Sequence, residues 1–132
     1  MKKALMIIGI VLGSLLLIGV IGFVLITISA NNAVAALTYD SIDMSRAADG
    51  TFEGTAEAGL ASVTVSVTVK ANAISRIDIL EHNNGRGAAA EAITQAMTAA
   101  NTYDVDVVSG ATISSQTIKS AVSHALKAAC AE

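Results

Sequence analysis

Three hydroxyl side chains, Thr112, Ser114 and Ser115, crowd the point where an extended stretch gives way to helical spacing, just after Ser109, Gly110 and Ala111. Gly110 permits a sharp turn and Ala111 keeps the backbone accessible, so this string can open a helix abruptly. The N–H groups of a first helical turn have no intrahelical partner, and the helix dipole adds about half a positive charge there. With hydroxyl donors alongside, such a junction suits a phosphate group. The plainer reading of the same residues is capping, because Ser and Thr favour helix starts and Ser-Gly is common in turns. Composition alone favours the cap.

The other residues with chemical potential are isolated. His82 ends a strand-like stretch ahead of Asn83-Asn84-Gly85-Arg86-Gly87, and nothing in its neighbourhood completes a metal set, so by itself it reads as a solvated or capping residue. His124 sits among apolar positions of the last helical stretch and reads as a boundary residue. Cys130 is the single Cys, which rules out a disulfide framework, and it lacks the nearby base of a catalytic thiol. No Ser/His/Asp arrangement, paired carboxylates in a plausible cleft or Gly-rich nucleotide loop appears. Neither a metal site nor a catalytic residue is expected.

The elements that must position the junction are legible in the patterning. Asp49-Gly50 signals a turn before Thr51–Glu57. In Ser62–Lys70, Val63, Val65, Val67 and Val69 alternate with Thr64, Ser66 and Thr68, the clearest strand in the chain. Ala71-Asn72 supplies a tight turn, and Ile74–Glu81 resumes the alternation with Ile77 and Ile79 on one side and Arg76 and Asp78 on the other. These make an antiparallel meander with one face to be covered. Ala88–Ala100 offers a helix with Ala89, Ile93, Met97 and Ala100 on one stripe. The chain is then expected to be extended through Tyr103–Val108. A second helix follows, carrying Ile118, Ala121, Val122, Ala125 and Ala129 on one side. The spacing predicts an α+β fold, a small antiparallel sheet with two helices.

Ahead of that domain, Ala4–Ala30 is a 27-residue run without a charged residue. As a helix it would be roughly 40 Å long, enough to cross a hydrocarbon core of about 30 Å. A secretory signal is the competing reading, since Ala33-Val34-Ala35 resembles a cleavage site, but a signal's apolar region is only about 7–15 residues. The expected layout is a transmembrane anchor over 1–30, a tether over 31–48 and a domain over 49–132. Lys2 and Lys3 flank the amino end, which by the positive-inside tendency keeps the N-terminus in the cytoplasm and the domain outside the cytoplasmic membrane. Without those two lysines the chain carries 6 basic and 11 acidic residues, a balance of −5, which argues against nucleic acid as a partner.

The ordered string Asp106-Val107-Val108-Ser109-Gly110-Ala111-Thr112 resembles the flavinylation motif of the FMN-binding domain family, Asp-x-x-Ser/Thr-Gly-Ala-Thr. That family includes the flavin-carrying subunits of sodium-pumping NADH:quinone reductase and of Rnf-type ferredoxin:NAD reductase. The wider layout is also similar: a turn and strand at Asp49-Gly50-Thr51-Phe52-Glu53-Gly54, a Val-rich hairpin, a loop with His82, a helix, the motif and a closing helix. The resemblance covers about residues 48 to 128. It departs from many relatives in His82–Gly87, where they carry an acidic residue followed by Thr-Pro.

The resemblance implies a specific cofactor chemistry. FMN would be joined through its phosphate to Thr112, which matches the acceptor threonine, by a separate magnesium-dependent flavin transferase that uses FAD as donor. Ser109, Gly110 and Ala111 would shape the turn, and Ser114 and Ser115 would add donors near the phosphate. Asp106 is the motif acid, either recognised by the transferase or accepting a hydrogen bond in the turn. His82, Arg86, Phe52 and Tyr103 are candidates for contact with the flavin, with a core role preferred for Phe52. The expected function is a membrane-anchored extracytoplasmic electron carrier, an electron-transfer module rather than a stand-alone enzyme, fed by a membrane redox partner. The alternatives are an anchored binding or sensory domain with a noncovalent phosphate-bearing ligand, or a structural subunit of a membrane redox complex.

Overall fold

Strict alternation of Val with Thr and Ser makes Ala61–Lys70 a strand with two unlike faces, and it becomes the centre of a three-stranded antiparallel sheet. The computed structural model of the chain describes residues 1–83 and 87–131. The strands are β1 (Gly50–Ala58), β2 (Ala61–Lys70) and β3 (Ala73–Asn83), in the spatial order β1-β2-β3. Val63, Val65, Val67 and Val69 are at most 1% exposed on the inner face. The outer face is a polar lattice in which Thr51 meets Thr68 and Thr55 meets Thr64 through their hydroxyls.

Turn chemistry fixes the register. Gly59, at φ +63°, opens the two-residue turn between β1 and β2. Ala71 and Asn72, at φ +53° and +60°, are both left-handed, as a type I′ hairpin requires. Ala71 is held there by its N–H, which donates to Asp49 Oδ1 at 2.8 Å. The register shifts between Thr64 and Val65 and again between Thr68 and Val69, leaving Leu80 and Ser75 of β3 without partners. Those two bulges keep Ile74, Ile77, Ile79 and His82 opposite the four inward valines.

Two helices cover the inner face. α3 (Thr112–Ala129) crosses β1 and β2, and α2 (Ile93–Ala100) lies on β3. The stripe read for α3 is borne out: Ile118, Ala121, Val122, Ala125 and Ala129 are all 0% exposed. The stripe read for the earlier helix is corrected. Gly87–Ala92 is a 3-10 helix, and at three residues per turn it aligns Ala90 rather than Ala89 with Ile93 and Met97. Ala89 and Ala100 are exposed. α3 comes so close to β1 that a Cβ on Gly54 would fall on the Ala121 carbonyl and the Ala125 amide. In the stretch after α2, expected to be extended, residues 104–108 pair with no strand.

The chain divides into two units, Met1–Asn32 and Ala33–Glu132. The first belongs to α1 (Lys2–Ala35), a continuous helix long and apolar enough to cross a membrane. It runs past Ala30 through Asn31 and Asn32 to Ala35, so the stretch resembling a cleavage site is helical. Much of the segment expected to be a tether is laid along α3 instead. Ser120 Oγ donates to Thr38 O at 2.6 Å, Lys127 Nζ reaches Asp40 Oδ1 at 2.8 Å, and Ala48 N–H donates to Ala129 O at 2.9 Å. A short 3-10 helix, Met44–Arg46, is capped by Asp43, whose carboxylate accepts from the Ser45 amide and hydroxyl.

Candidate functional site

The junction before α3 is a tight turn closed by Ala111 N–H donating to Val108 O at 3.0 Å. Gly110 stands third in that turn at φ +80°, the value a type II turn demands and a conformation that L side chains rarely adopt. A Cβ there would meet nothing within 4 Å, so Gly110 serves the backbone and not a crowded neighbour. Ala111 is the N-cap residue, with φ −131° and no side-chain cap. The first intrahelical bond runs from Ser115 N–H to Ala111 O at 2.9 Å, so the amides of Thr112, Ile113 and Ser114 precede the ladder.

The three hydroxyls part company here. Thr112 is exposed at the first helical position, whereas Ser114 is 4% exposed and Ser115 fully buried. Ser115 Oγ accepts the Val108 N–H at 3.0 Å and so staples the incoming link to the helix. The simple capping reading fails at Thr112, because the N-cap is Ala111 and no hydroxyl caps it. Asp106, Ser109 and Gly110 are exposed, and Ala111 is 8% exposed.

His82 belongs to the same end of the fold. Ala48 is tied to Ala129, and His124 Nδ1 donates to Thr55 O at 2.9 Å, so β1 runs from the C-terminal end of α3 back toward its start. β1 finishes at Ala58, opposite Ala61, and two residues further along β2 the Val63 position faces His82. The 3-10 helix Gly87–Ala92 packs against α3. The His82 ring is almost completely enclosed, its side chain 2% exposed, with Nδ1 3.0 Å from Glu91 Oε1. Arg86 lies outside the described residues.

The remaining candidates have structural partners. His124 joins Thr55 O to the Thr38 hydroxyl, the latter 3.0 Å from Nε2. Phe52 is partly buried against the core, as preferred from the sequence. Tyr103 stacks on Tyr39 with ring centroids 6.1 Å apart and planes 11° from parallel, and its hydroxyl donates to Asp40 O at 3.0 Å. Burial, followed by the neighbouring phenol, raises the Tyr39 hydroxyl above 10.0. Burial, then the carboxylates of Asp104 and Asp40, raises that of Tyr103. A groove of about 500 Å³ lined by Ile42, Met44, Tyr103, Asp104 and Leu126 lies away from the junction. Leu126 is 14 positions along α3 from Thr112, which at ~1.5 Å per residue is about 20 Å.

Glu91 escaped the sequence reading because a bond between residues nine apart across a turn leaves no periodic signal. Tyr39 was missed because it lies in a segment without patterning. Among the described residues no group of three or more His, Cys, Asp or Glu side chains is placed to hold a metal ion.

Comparison with curated proteins yields no match. The model of the FMN-binding domain, by contrast, matches residues 59–127, from the β1–β2 turn through nearly the whole of α3. That match spans more than half of the chain and includes both the His82 end of β3 and the junction at Thr112, and on this ground the chain belongs to the FMN-binding domain family.

Proposed function

We propose that this protein is a membrane-anchored electron carrier whose FMN is attached covalently, through a phosphodiester, to Thr112. Membership of the FMN-binding domain family supports flavin binding. The observation that carries the covalent reading is that Thr112 alone among the three hydroxyls is exposed, at a helix start whose first amides are outside the hydrogen-bond ladder. The residues fit the group: the retained negative charge of a phosphodiester on Thr112 Oγ1 would sit beside the amides and the positive end of the α3 dipole.

The attachment requires a flavin transferase with FAD as donor. Thr112 Oγ1 forms a bond to the flavin-side phosphorus, the phosphoanhydride bond breaks, AMP leaves, and the hydroxyl proton passes to solvent. The exposed Asp106 and Ser109 are accessible to such an enzyme. Once attached, the flavin supplies one- or two-electron exchange, and the protein supplies its position and local charge. α1, with Lys2 and Lys3 at its start, fits an anchor with a cytoplasmic N-terminus and the flavin domain outside. The electron donor is then a redox partner in the same membrane.

The test is the intact mass of the full chain co-expressed with a flavin transferase, beside Thr112→Val. A gain of roughly 440 Da, FMN less water, on the first and not the second is the expected result. No gain on either, with the transferase active on a control protein, would leave the junction as a noncovalent phosphate site or a plain helix start.

A further inference from the structure

α3 begins at Thr112, so Gln116, four positions on, shares the helix face of the acceptor threonine. The Cβ atoms of such a pair are about 5–6 Å apart, and helical side chains lean toward the N-terminus, here from Gln116 toward Thr112. The orientation of the Gln116 amide is settled from another segment. The Tyr39 hydroxyl donates to Gln116 Oε1 at 2.6 Å and lies 3.3 Å from Gln116 O. A separation of 2.6 Å belongs to O–H···O bonds and is short for N–H···O, so the phenol proton goes to the side-chain oxygen. With Oε1 engaged, the amide N–H groups point away from Tyr39, and among the described residues no acceptor takes them. Tyr39 is itself held by its stack on Tyr103, whose hydroxyl donates to Asp40 O at 3.0 Å. The cation of the same face, Lys119, already has a counter-charge in Asp104, 3.2 Å away.

We propose that Gln116 holds the phosphate of the FMN on Thr112, and that Tyr39 is a positioning residue which turns the Gln116 amide N–H groups to that phosphate. The inference rests on the covalent reading above, which fixes the phosphorus one bond from Thr112 Oγ1. A side-chain amide and an anion four residues apart on a helix make a hydrogen bond of the Gln–Asp type. Donated to a charged phosphate oxygen, it is charge-assisted and adds to the first-turn amides. Freed of Tyr39, the amide turns its oxygen toward the phosphate as readily as its N–H groups, and the oxygen is repelled. A phosphodiester on a threonine swings about several single bonds, and a second hold one turn up the helix restricts them.

The test exploits the presence of only two glutamines, Gln95 and Gln116, so that isotopic labelling of glutamine side-chain nitrogen gives two amide signals, assigned with Gln116→Leu. The full chain in detergent is compared before and after treatment with a flavin transferase, with loading checked by mass. The Gln116 amide protons are expected to shift downfield on loading while those of Gln95 stay. Tyr39→Phe, which keeps the ring stack and removes the donor, is expected to lose most of that shift. Flavin fluorescence is expected to depolarise faster in loaded Gln116→Leu and Tyr39→Phe than in wild type. A Gln116 signal unmoved in loaded wild-type protein overturns the phosphate contact. A full shift in Tyr39→Phe overturns the positioning role. Absence of flavin on the wild-type chain overturns the covalent reading and the phosphate contact with it. In that event the unloaded Gln116 signals of wild type and Tyr39→Phe still decide whether Tyr39 sets the amide, identical signals overturning it.

Discussion

At the scale of single residues, Ser115 and Thr112 separate a structural hydroxyl from an exposed one. Ser115 Oγ is buried and accepts the Val108 N–H, so Ser115→Ala leaves a backbone donor without its partner. The expected cost is about 1–3 kcal/mol in denaturant unfolding, with flavin still attached at Thr112. If Ser115 held the phosphate instead, loading would fall and stability would stay. The stacked phenols give a second residue-scale expectation. Tyr39 and Tyr103 keep their protons to higher pH when folded than when unfolded, mainly because burial disfavours the phenolate. Their contribution is whole below 10.0 and is lost as pH rises through the raised folded values, so stability falls there. Denaturant midpoints measured across that range are expected to drop less steeply in Tyr39→Phe.

At the scale of elements, the pairing of α3 with β1 governs where the site lies. Gly54 faces Ala121 and Ala125 with no room for a Cβ, and both neighbours are backbone atoms that cannot swing aside. Gly54→Ala is expected to push α3 off the sheet, at a cost at or above the roughly 1–3 kcal/mol of ordinary overpacking. Because α3 starts at Thr112, the same change is expected to lower flavin attachment, which unfolding curves and intact mass together check. The turn after α2 shows how one polar residue joins elements. Asn101 sits at φ +54°, accepts the Ile74 N–H through Oδ1 at 2.8 Å and donates to Asn72 O at 3.2 Å. It thereby ties the end of α2 to the β2–β3 hairpin, a role no periodic pattern displays.

At the scale of the whole molecule, the anchor and the flavin domain predict a sidedness. Cys130 is the only cysteine and is partly buried, with its thiol 3.3 Å from Asp43 O. Replacing it by Ser and placing a new thiol at Leu60, which is 99% exposed at the β1–β2 turn, gives a single accessible label site. A membrane-impermeant maleimide is expected to label Leu60→Cys in intact cells. Labelling only after lysis would put the domain in the cytoplasm and overturn the proposed orientation. The segment from Thr38 to Ala48 also bears on function at this scale, because its bonds to Ser120, Lys127 and Ala129 make it part of the packed domain. It is not a free spacer.

The sequence by itself determined the three strands, the closing helix and the family. Alternating valines, the left-handed Asn72, the 3.6-residue stripe of α3 and the ordered string from Asp106 to Thr112 are local signals, and each constrains residues close in the chain. What only the tertiary structure decided is which of those residues face outward and which are occupied by one another. Thr112, Ser114 and Ser115 are chemically alike in sequence. Burial against the core and one bond to Val108 leave only the first exposed. His82 is likewise a lone histidine until the fold folds Glu91 onto it, and the supposed tether is patternless until α3 offers it partners. These distinctions depend on contacts between residues distant in the chain, which periodicity does not encode.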